Sequence, residues 1–326
     1  MTLKEVARLA GVSPSSVSRY LNGGPLSREK RAAIQAVIQR TGYFPNQAAH
    51  TLRTGRVRQV GVIVPRIHSD AVSQVTAGMA EVLSRQGYLP ILGCTDRNPD
   101  QEARYLELMQ AYHVAGIILM GSLVTEELLE LYRACRLPLV ITGQRFPGFH
   151  CVFHEDYLAM RELAKRMLDR GRRRFVYIGA DERDVAVGRE RLRGARDALY
   201  AGGRNAEEMP VAVGDFTWES GYWRMCQLLE NFPETDGVLC ATDTLAQGAL
   251  LALRESGRRV PEDVGIAGVG DNWADQISVP RLTSACLDQF QCGREAASIL
   301  LQLMEDPTSA PWQKSLDYAV ADRGSL

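Results

Sequence analysis

The sequence of 326 residues predicts a small, all-helical N-terminal unit followed by an α/β body of two doubly wound parallel sheets. Residues 1–42 contain three short helical patterns that are separated by glycines, whereas apolar runs of strand length alternate with amphipathic stretches from residue 59 onwards. Formal charge divides at the same place, with +8 over residues 1–58 and −9 over the remainder. A basic head on an acidic body indicates a polyanionic partner for the head.

The first two helical patterns are joined by a tight turn. Thr2 is expected to cap the first helix and Gly11 to end it, because glycine adopts positive φ at little cost. Ser13 is expected to cap the second helix, with Pro14 at its first position, where a missing N–H costs nothing. A third helix follows, capped by Ser27. The pattern predicts a helix-turn-helix.

The second helix has an inward apolar stripe and an outward polar face. The polar face is predicted to carry small hydrogen-bonding side chains and one arginine: Ser15, Ser16, Ser18, Arg19 and Asn22. Arginine can pair with guanine O6 and N7, and serine can donate or accept at base edges. The face is therefore chemically suited to the major groove of double-stranded DNA. The cap residues Thr2 and Ser13 are also expected to contact the DNA.

Residues 45–58 form a short segment with two interpretations. It could be a plain linker, since the helix expected over 46–52 is too short to be stable alone. Alternatively, Leu52 is an apolar wedge for the minor groove, surrounded by polar and basic side chains. These neighbours are Asn46, His50, Arg53 and Arg56.

Polar and aromatic residues follow the predicted strands of the body. Ligands bind such sheets at the carboxyl ends of the strands, so these residues are candidates for a binding site. Their mixture of hydrogen-bonding groups with aromatic platforms suits a sugar. The predicted effector-binding residues are Arg66, Gln144, Arg145, Arg191, Phe216, Trp218, Asp243 and Asp271.

The stretches "LKEVARLAGVSPSSVSRYLN" and "YFPNQAAHTLRTGRVRQVGVIVP" resemble the head and hinge of LacI-type transcriptional regulators. Within that family, "YIGADERDVAVGRER" and "LCATDTLAQGAL" are most similar to trehalose and sucrose operon repressors. The resemblance implies a core like that of periplasmic sugar-binding proteins. It also implies a homodimer that binds a pseudo-palindromic operator, represses carbohydrate-utilisation genes and is released by a sugar effector.

The resemblance also implies roles for particular DNA-contacting residues. By position, Pro14, Ser15 and Arg19 are the base-reading residues, and Leu52 matches the hinge leucine that partly unstacks a central base step. Pro14 and Ser15 cannot make the bidentate contacts of Gln or Asn, so Arg19 is expected to carry much of the direct readout.

In the body, the resemblance makes Arg191 the arginine that clamps the effector and Phe216 the aromatic residue that stacks on it. Arg66 falls where trehalose-type repressors have an arginine that faces a sugar phosphate. Together with Arg145 and Arg191, it suggests an anionic sugar, such as trehalose or sucrose 6-phosphate.

The expected domains are a DNA-binding head over 1–44, a hinge over 45–58 and a core over 59–326. The first lobe of the core is expected to comprise about 59–155 and 284–312, and the second about 156–283 and 313–326. The chain ends soon after the predicted strand "SLDYAV" without a leucine-heptad tail, which favours a dimer over a tetramer.

Other function classes are less compatible with the sequence. No nucleophile elbow, P-loop or H-E-x-x-H motif occurs, and we expect neither catalysis nor a cofactor. His150 and His154 have metal spacing for a helix, but in a strand they would stand ~13 Å apart. Seven scattered cysteines and the lack of an apolar span suit a cytoplasmic protein without membrane contact.

Three alternatives remain open from the sequence. A regulator of the same fold could use a purine-type corepressor, so that ligand binding tightens the grip on DNA. A sugar-binding protein or sugar enzyme without a DNA role would explain only the body. An architectural DNA-binding protein would explain only the head.

Overall fold

A computed structural model describes residues 1–21, 23–43 and 57–326 of the chain. The chain divides into two compact units, Met1–Val57 and Arg58–Leu326. The predicted hinge helix lies outside the described residues. The same holds for six residues predicted to contact DNA, namely Asn22, Asn46, His50, Leu52, Arg53 and Arg56.

The N-terminal unit contains three helices in its described part: α1 (Leu3–Leu9), α2 (Pro14–Leu21) and α3 (Arg28–Thr41). The predicted cap of α1 is confirmed, because the Thr2 hydroxyl accepts a hydrogen bond from the Glu5 N–H and the Glu5 carboxylate accepts one from the Thr2 N–H. Gly11, at φ +63°, makes the predicted turn. Both local signals therefore act as the sequence indicates.

A small apolar core holds these three helices together. Its fully or largely buried side chains come from every one of them: Val6, Ala7, Val17, Ile34 and Val37. Because Val17 is completely buried in α2, the opposite face of that helix is left to polar side chains. Packing thereby fixes which side of α2 is free for a partner.

The first lobe of the larger unit is a six-stranded parallel sheet with the order β11-β5-β4-β3-β1-β2. Its strands are β1 (Gln59–Val64), β2 (Leu89–Cys94), β3 (Ile117–Met120), β4 (Leu139–Thr142), β5 (His150–His154) and β11 (Gln313–Leu316). Its helices are α4 (Asp70–Arg85), α5 (Pro99–Ala111), α6 (Glu126–Ala134) and α11 (Gln289–Glu305).

The second lobe is a six-stranded sheet with the order β12-β10-β9-β8-β6-β7. Its strands are β6 (Phe175–Gly179), β7 (Val211–Val213), β8 (Gly237–Cys240), β9 (Gly265–Gly270), β10 (Thr283–Leu287) and β12 (Tyr318–Ala321). Its α-helices are α7 (Asp156–Asp169), α8 (Arg191–Ala201), α9 (Trp218–Asn231) and α10 (Asp243–Glu255). A π-helical turn at Val185–Glu190 precedes α8, and 3₁₀ turns lie at Ala206–Glu208 and Trp273–Gln276.

Two doubly wound sheets are thus confirmed, with one exception to the parallel arrangement. The edge strand β12 runs antiparallel to β10, whereas the other pairs in the second sheet are parallel. An antiparallel edge on an otherwise parallel sheet is common in doubly wound folds. The fully buried strands β6 and β8 are interior strands of this sheet, as their uninterrupted apolar runs indicate.

Both of the last two crossings between the sheets lie further along the chain than the sequence predicts. β10 pairs with β9 in the second sheet, although residues from 284 were assigned to the first lobe. β11 pairs with β5 in the first sheet, although residues from 313 were assigned to the second lobe. The stretch "SLDYAV" is therefore two strands, which separate at Asp317. Strand propensity carries no information about which sheet a strand will join.

The seven cysteines all lie within the described ranges and all are free thiols. Among those same residues, no helix combines the length and the apolar character that crossing a bilayer requires.

Candidate functional site

A cavity opens at the carboxyl ends of the strands of both sheets, so both lobes of the larger unit line it. The first lobe contributes residues that follow β1, β2, β3 and β4, namely Arg66, Arg97, Ser122 and Gln144. The second lobe contributes residues that follow β6, β7, β8 and β9, namely Asp184, Phe216, Thr242 and Asn272. The position agrees with the rule for ligands of doubly wound sheets.

Four of the eight residues predicted for this site line the cavity. They are Arg66, Gln144, Arg191 and Phe216. The Phe216 ring, from the second lobe, faces two cations of the first lobe: the guanidinium carbons of Arg66 and Arg97 lie 4.7 Å and 4.3 Å from the ring centroid. Cation–π attraction therefore connects the lobes across the cleft.

Arg191 is held by an acidic partner that the sequence did not reveal. Its Nε and Nη2 donate to Oδ1 of Asp156 at 2.7 Å and 2.6 Å, and Nη1 donates to the carbonyl oxygen of Ala241. Asp156 begins α7, Arg191 begins α8, and Ala241 follows β8. The pair thus fixes three elements of the second lobe at the cavity wall, and Asp156 neutralises the charge of the guanidinium.

Gln144 bridges the two lobes by hydrogen bonds. Its Nε2 donates to the carbonyl oxygens of Gly121 and Ser122 at 3.0 Å and 2.8 Å, and lies 3.4 Å from Oδ1 of Asp184 in the second lobe. Its Oε1 is buried without a hydrogen-bond partner among the described residues. The amide oxygen of Gln144 is thus an acceptor available to a ligand hydroxyl.

Asp184, which faces Gln144 from the second lobe, is a buried carboxylate. Burial raises the pKa of Asp184 to about 6, although the Val187 N–H donates to this carboxylate.

Two predicted residues lie on the surface instead of at the cavity. Arg145 is exposed, and its guanidinium carbon lies 5.8 Å from the centroid of the Phe153 ring. Trp218, the first residue of α9, is 49% exposed and is not part of the lining. Gln144, directly before Arg145, and Phe216, two residues before Trp218, line the cavity instead.

Two predicted carboxylates lie behind the cavity wall. Asp243 is completely buried, and its carboxylate accepts hydrogen bonds from the Ser284 hydroxyl at 2.8 Å and 2.9 Å and from the Asn272 N–H at 3.3 Å. Burial raises its pKa. Asp271 forms an ion pair with Arg323 and accepts from the Cys286 thiol at 3.1 Å. Both carboxylates hold the ends of β9 and β10 in place.

Two residues that line the cavity were not predicted from the sequence, namely Arg97 and Asp156. Arg97 could have been predicted from the sequence, because it follows β2 and residues that follow a parallel strand are candidates for the site. Asp156 could not have been predicted, because nothing in the sequence indicates that it pairs with Arg191, which is 35 residues away.

Neither histidine of the "HCVFHED" stretch is placed to hold a metal. His150 Nδ1 accepts from the Trp312 N–H at 3.2 Å, and His154 Nε2 lies 3.3 Å from the Asp288 carbonyl oxygen. Within the residues that the structure describes, no group of three or more His, Cys, Asp or Glu side chains could hold a metal ion.

The N-terminal unit presents most of its described candidate DNA contacts to solvent. Thr2, Ser13, Pro14, Ser15 and Arg19 are exposed, and Ser18 is half-buried. Ser16 differs from the expectation, because it is 7% exposed and its hydroxyl lies 3.0 Å from that of Ser13. Ser16 is therefore buried beside Val17, which is completely buried, and its hydroxyl interacts with the cap residue at the start of α2.

The chain combines a helix-turn-helix unit, which has an exposed arginine on its second helix, with two α/β lobes that line a cleft. These features define a class of protein, the DNA-binding regulators with a ligand-binding core. Residues 2–46 match the model described as "Bacterial regulatory proteins, lacI family", and residues 164–326 match that of the "Periplasmic binding protein-like domain".

Known regulators are similar to this chain over three quarters of its length or more. The "HTH-type transcriptional regulator CelR" of Thermobifida fusca is 33% identical and the match covers 99% of this chain and 98% of that protein. The "Sucrose operon repressor" of Staphylococcus xylosus is 31% identical over 75% of each. A solved "transcriptional regulator CelR-cellobiose complex" has a TM-score of 0.77 at 30% identity, with 100% of both chains covered. The chain belongs to the LacI family of bacterial regulators and is a DNA-binding transcriptional regulator.

Proposed function

We propose that this regulator represses carbohydrate-utilisation genes and that a sugar, bound in the cleft between the two lobes, releases it from its operator. The observation that carries the proposal is the cavity itself, which both lobes line with hydrogen-bonding side chains around one aromatic ring. A ligand held from both sides favours one relative orientation of the lobes. Such differential affinity is what a ligand needs to shift an equilibrium between DNA-binding states.

The chemistry of the lining suits a carbohydrate. Gln144 offers an amide oxygen, and Thr242, Asn272 and Ser122 offer further groups that both donate and accept hydrogen bonds. Phe216 supplies an apolar ring for the C–H face of a sugar. The solved relative with cellobiose, mentioned above, supports a sugar ligand for a core of this shape.

A panel of neutral mono- and disaccharides in a thermal-shift assay tests the effector. A sugar at 100 times its Kd is expected to stabilise the protein by about 2.7 kcal/mol. The same sugar should dissociate the protein from operator DNA in a mobility-shift assay. A sugar that binds but tightens the DNA complex would show a corepressor, and a panel without any binder would contradict the proposal.

On the DNA side, we propose that a homodimer places two copies of α2 in successive major grooves of a pseudo-palindromic operator. Arg19 is the main base-reading residue, with Pro14 and Ser15 beside it. Leu52, outside the described residues, stays a prediction as the minor-groove wedge. Deletion of residues 1–58 should abolish operator binding while sugar binding persists, because the core is a separate compact unit.

Replacing Arg19 by alanine is expected to cost about 1–3 kcal/mol of operator affinity and to relax base preference at one position of each half-site. Arg40→Ala, an exposed change in α3, is the matched control and should leave base preference unchanged. Fluorescence anisotropy with operator variants and random DNA measures the affinity and the base preference of each variant. Equal losses on operator and random DNA for Arg19→Ala would show a phosphate contact instead.

A further inference from the structure

Two carboxyl groups of the second lobe meet behind the cavity wall. Asp243 and Asp275 are both completely buried, and their side chains are in hydrogen-bonding contact with each other. Asp243 begins α10 directly after Thr242, and Asp275 lies in the 3₁₀ turn that begins after Asn272. Thr242 and Asn272 both line the cavity. The carboxyl pair therefore connects the two segments that supply these lining residues.

The hydrogen bonds around the pair leave one oxygen without a donor. Oδ1 of Asp275 accepts from the side-chain amide of Gln247 at 2.7 Å, but Oδ2 is buried and has no donor in the described part of the chain. The oxygens of Asp243 accept from the Ser284 hydroxyl at 2.8 Å and 2.9 Å. A buried polar atom without a partner is costly. A proton held between the two carboxyl groups is the donor that Oδ2 of Asp275 lacks.

The electrostatics of the pair also require a proton. Within the described residues, neither Asp243 nor Asp275 forms an ion pair with a cationic side chain. Burial raises the pKa of Asp243 well above its usual value, and the charge of Asp275 raises it further. Burial raises the pKa of Asp275 as well. Two carboxyl groups in contact cannot both ionise at neutral pH, so one shared proton leaves the pair with a single charge.

The other titratable groups nearby do not change this balance. Arg323, whose charge lowers the pKa of Asp275 from a distance, forms its ion pair with Asp271 instead. The Cys286 thiol donates to Asp271 at 3.1 Å, and burial raises its pKa to about 12. Burial also raises the pKa of the Cys240 thiol at the end of β8. Both thiols are therefore neutral over the pH range in which the pair holds its proton.

The backbone around the pair is shaped to receive it. Gly268 and Gly270 of β9 lie against Asp243, and a Cβ atom at these positions would lie 2.3 Å and 2.9 Å from its carboxylate oxygens. A larger residue at either position would displace the carboxyl group. The Asn272 N–H donates to Oδ2 of Asp243 at 3.3 Å, and the Asp275 N–H donates to the Asn272 carbonyl oxygen at 3.1 Å. The pair therefore holds the backbone of a cavity residue directly.

We propose that Asp243 and Asp275 share one proton at neutral pH and act as positioning residues, which keep Thr242 and Asn272 in place at the cavity wall. At alkaline pH the shared proton passes to solvent, and two charges are left in contact. Their repulsion drives the 3₁₀ turn away from α10 and loosens the wall. The proposal goes beyond the proposed function, since it does not depend on which ligand the cleft takes.

The direction of the pH effect follows from the raised pKa of the folded state. Stability that the pair contributes is complete below the usual aspartate pKa of 3.8 and is lost as the pH rises through the folded-state value. Asp243→Asn and Asp275→Asn each place an amide where the proton is shared, so each keeps a donor and an acceptor and leaves a single charge. Both variants should therefore lose the pH dependence.

Infrared spectroscopy of the full-length protein at pH 8 tests for the shared proton. Every sample carries Glu102→Gln, because Glu102 is buried with a raised pKa of about 7 and would contribute a band of its own. The carbonyl band of a buried, protonated carboxyl group is expected, and Asp243→Asn or Asp275→Asn should each remove it. Asp263→Asn is the matched control and should keep the band, since Arg259 lowers the pKa of Asp263 to about 2.

Amide hydrogen exchange of the same proteins tests the positioning role. Exchange over residues 268–276, corrected for its intrinsic pH dependence, should be about tenfold or more faster at pH 10 than at pH 7. Residues 59–64, in β1 of the first lobe, should change less than about threefold over the same range. Asp243→Asn and Asp275→Asn should abolish the increase over 268–276, whereas Asp263→Asn should keep it. Circular dichroism checks folding at both pH values, and either of the two pair variants suffices if the other does not fold.

Each outcome decides one part of the proposal. The absence of a protonated carboxyl band at pH 8, or its persistence in both pair variants, would overturn the shared proton. A band with equal exchange over 268–276 at pH 7 and pH 10 would overturn the positioning role. These measurements use neither sugar nor DNA, so failure of every sugar in the thermal-shift panel would overturn the proposed function and leave the carboxyl pair unaffected.

Discussion

Replacing Asp156 by alanine is expected to lower the free energy of unfolding of the core by about 3–5 kcal/mol, because it leaves the buried Arg191 guanidinium without its counter-ion. The side chains of both residues are 7% exposed, and their closest N–O distance is 2.6 Å. Arg191 also donates to the Ala241 carbonyl oxygen. Losing the pair therefore loosens the contact between α7, α8 and the end of β8.

Urea denaturation of Asp156→Ala and two comparison variants measures this effect. Lys165–Asp169 is an ion pair within α7 whose side chains are 66% and 64% exposed, so Asp169→Ala should cost less than about 1 kcal/mol. The double change Asp156→Leu with Arg191→Met should recover part of the loss, since no unpaired charge remains. If Asp156→Ala costs no more than Asp169→Ala, the buried pair is not a stabilising contact of the second lobe.

The second large effect depends on pH and concerns Glu102 in α5. Its side chain is buried, and the Tyr132 hydroxyl of α6 donates to its carboxylate. Burial raises the pKa of Glu102 from 4.5 to about 7, against the opposing effect of that hydrogen bond. A raised pKa favours the protonated folded form, so the associated stability is complete below about pH 4.5 and is lost as pH rises through 7. The difference between the two pKa values corresponds to about 3 kcal/mol.

Glu102→Gln should therefore be more stable than the wild type at pH 9, by up to about 3 kcal/mol, and nearly equal to it at pH 4. Glutamine keeps an acceptor for the Tyr132 hydroxyl and has no charge to bury. Glu107→Gln, an exposed change in the same helix, is the control and should show no such pH dependence. Chemical denaturation at pH 4, 7 and 9 gives the three comparisons. A constant difference between Glu102→Gln and wild type across this range would contradict the linkage.

Much of the fold follows from local sequence. The caps at Thr2 and Gly11 and the buried runs of β1 and β6 depend on neighbouring residues along the chain, so periodicity and capping rules locate them. The strand-end rule likewise places Arg66, Gln144 and Phe216 at the cavity, because the carboxyl edge of a parallel sheet is set by topology alone.

Only the tertiary structure decided how individual side chains are used. Thr242 lines the cavity while the adjacent Asp243 is buried behind it, and the partner of Arg191 is Asp156, a residue of another helix. The stretch around Asp317 belongs to two sheets, although it resembles one strand. The physical reason is the same in each case. Side-chain direction, charge pairing and strand partnership depend on atoms far apart in the chain, whereas helix caps and strand periodicity depend on neighbours within a few residues.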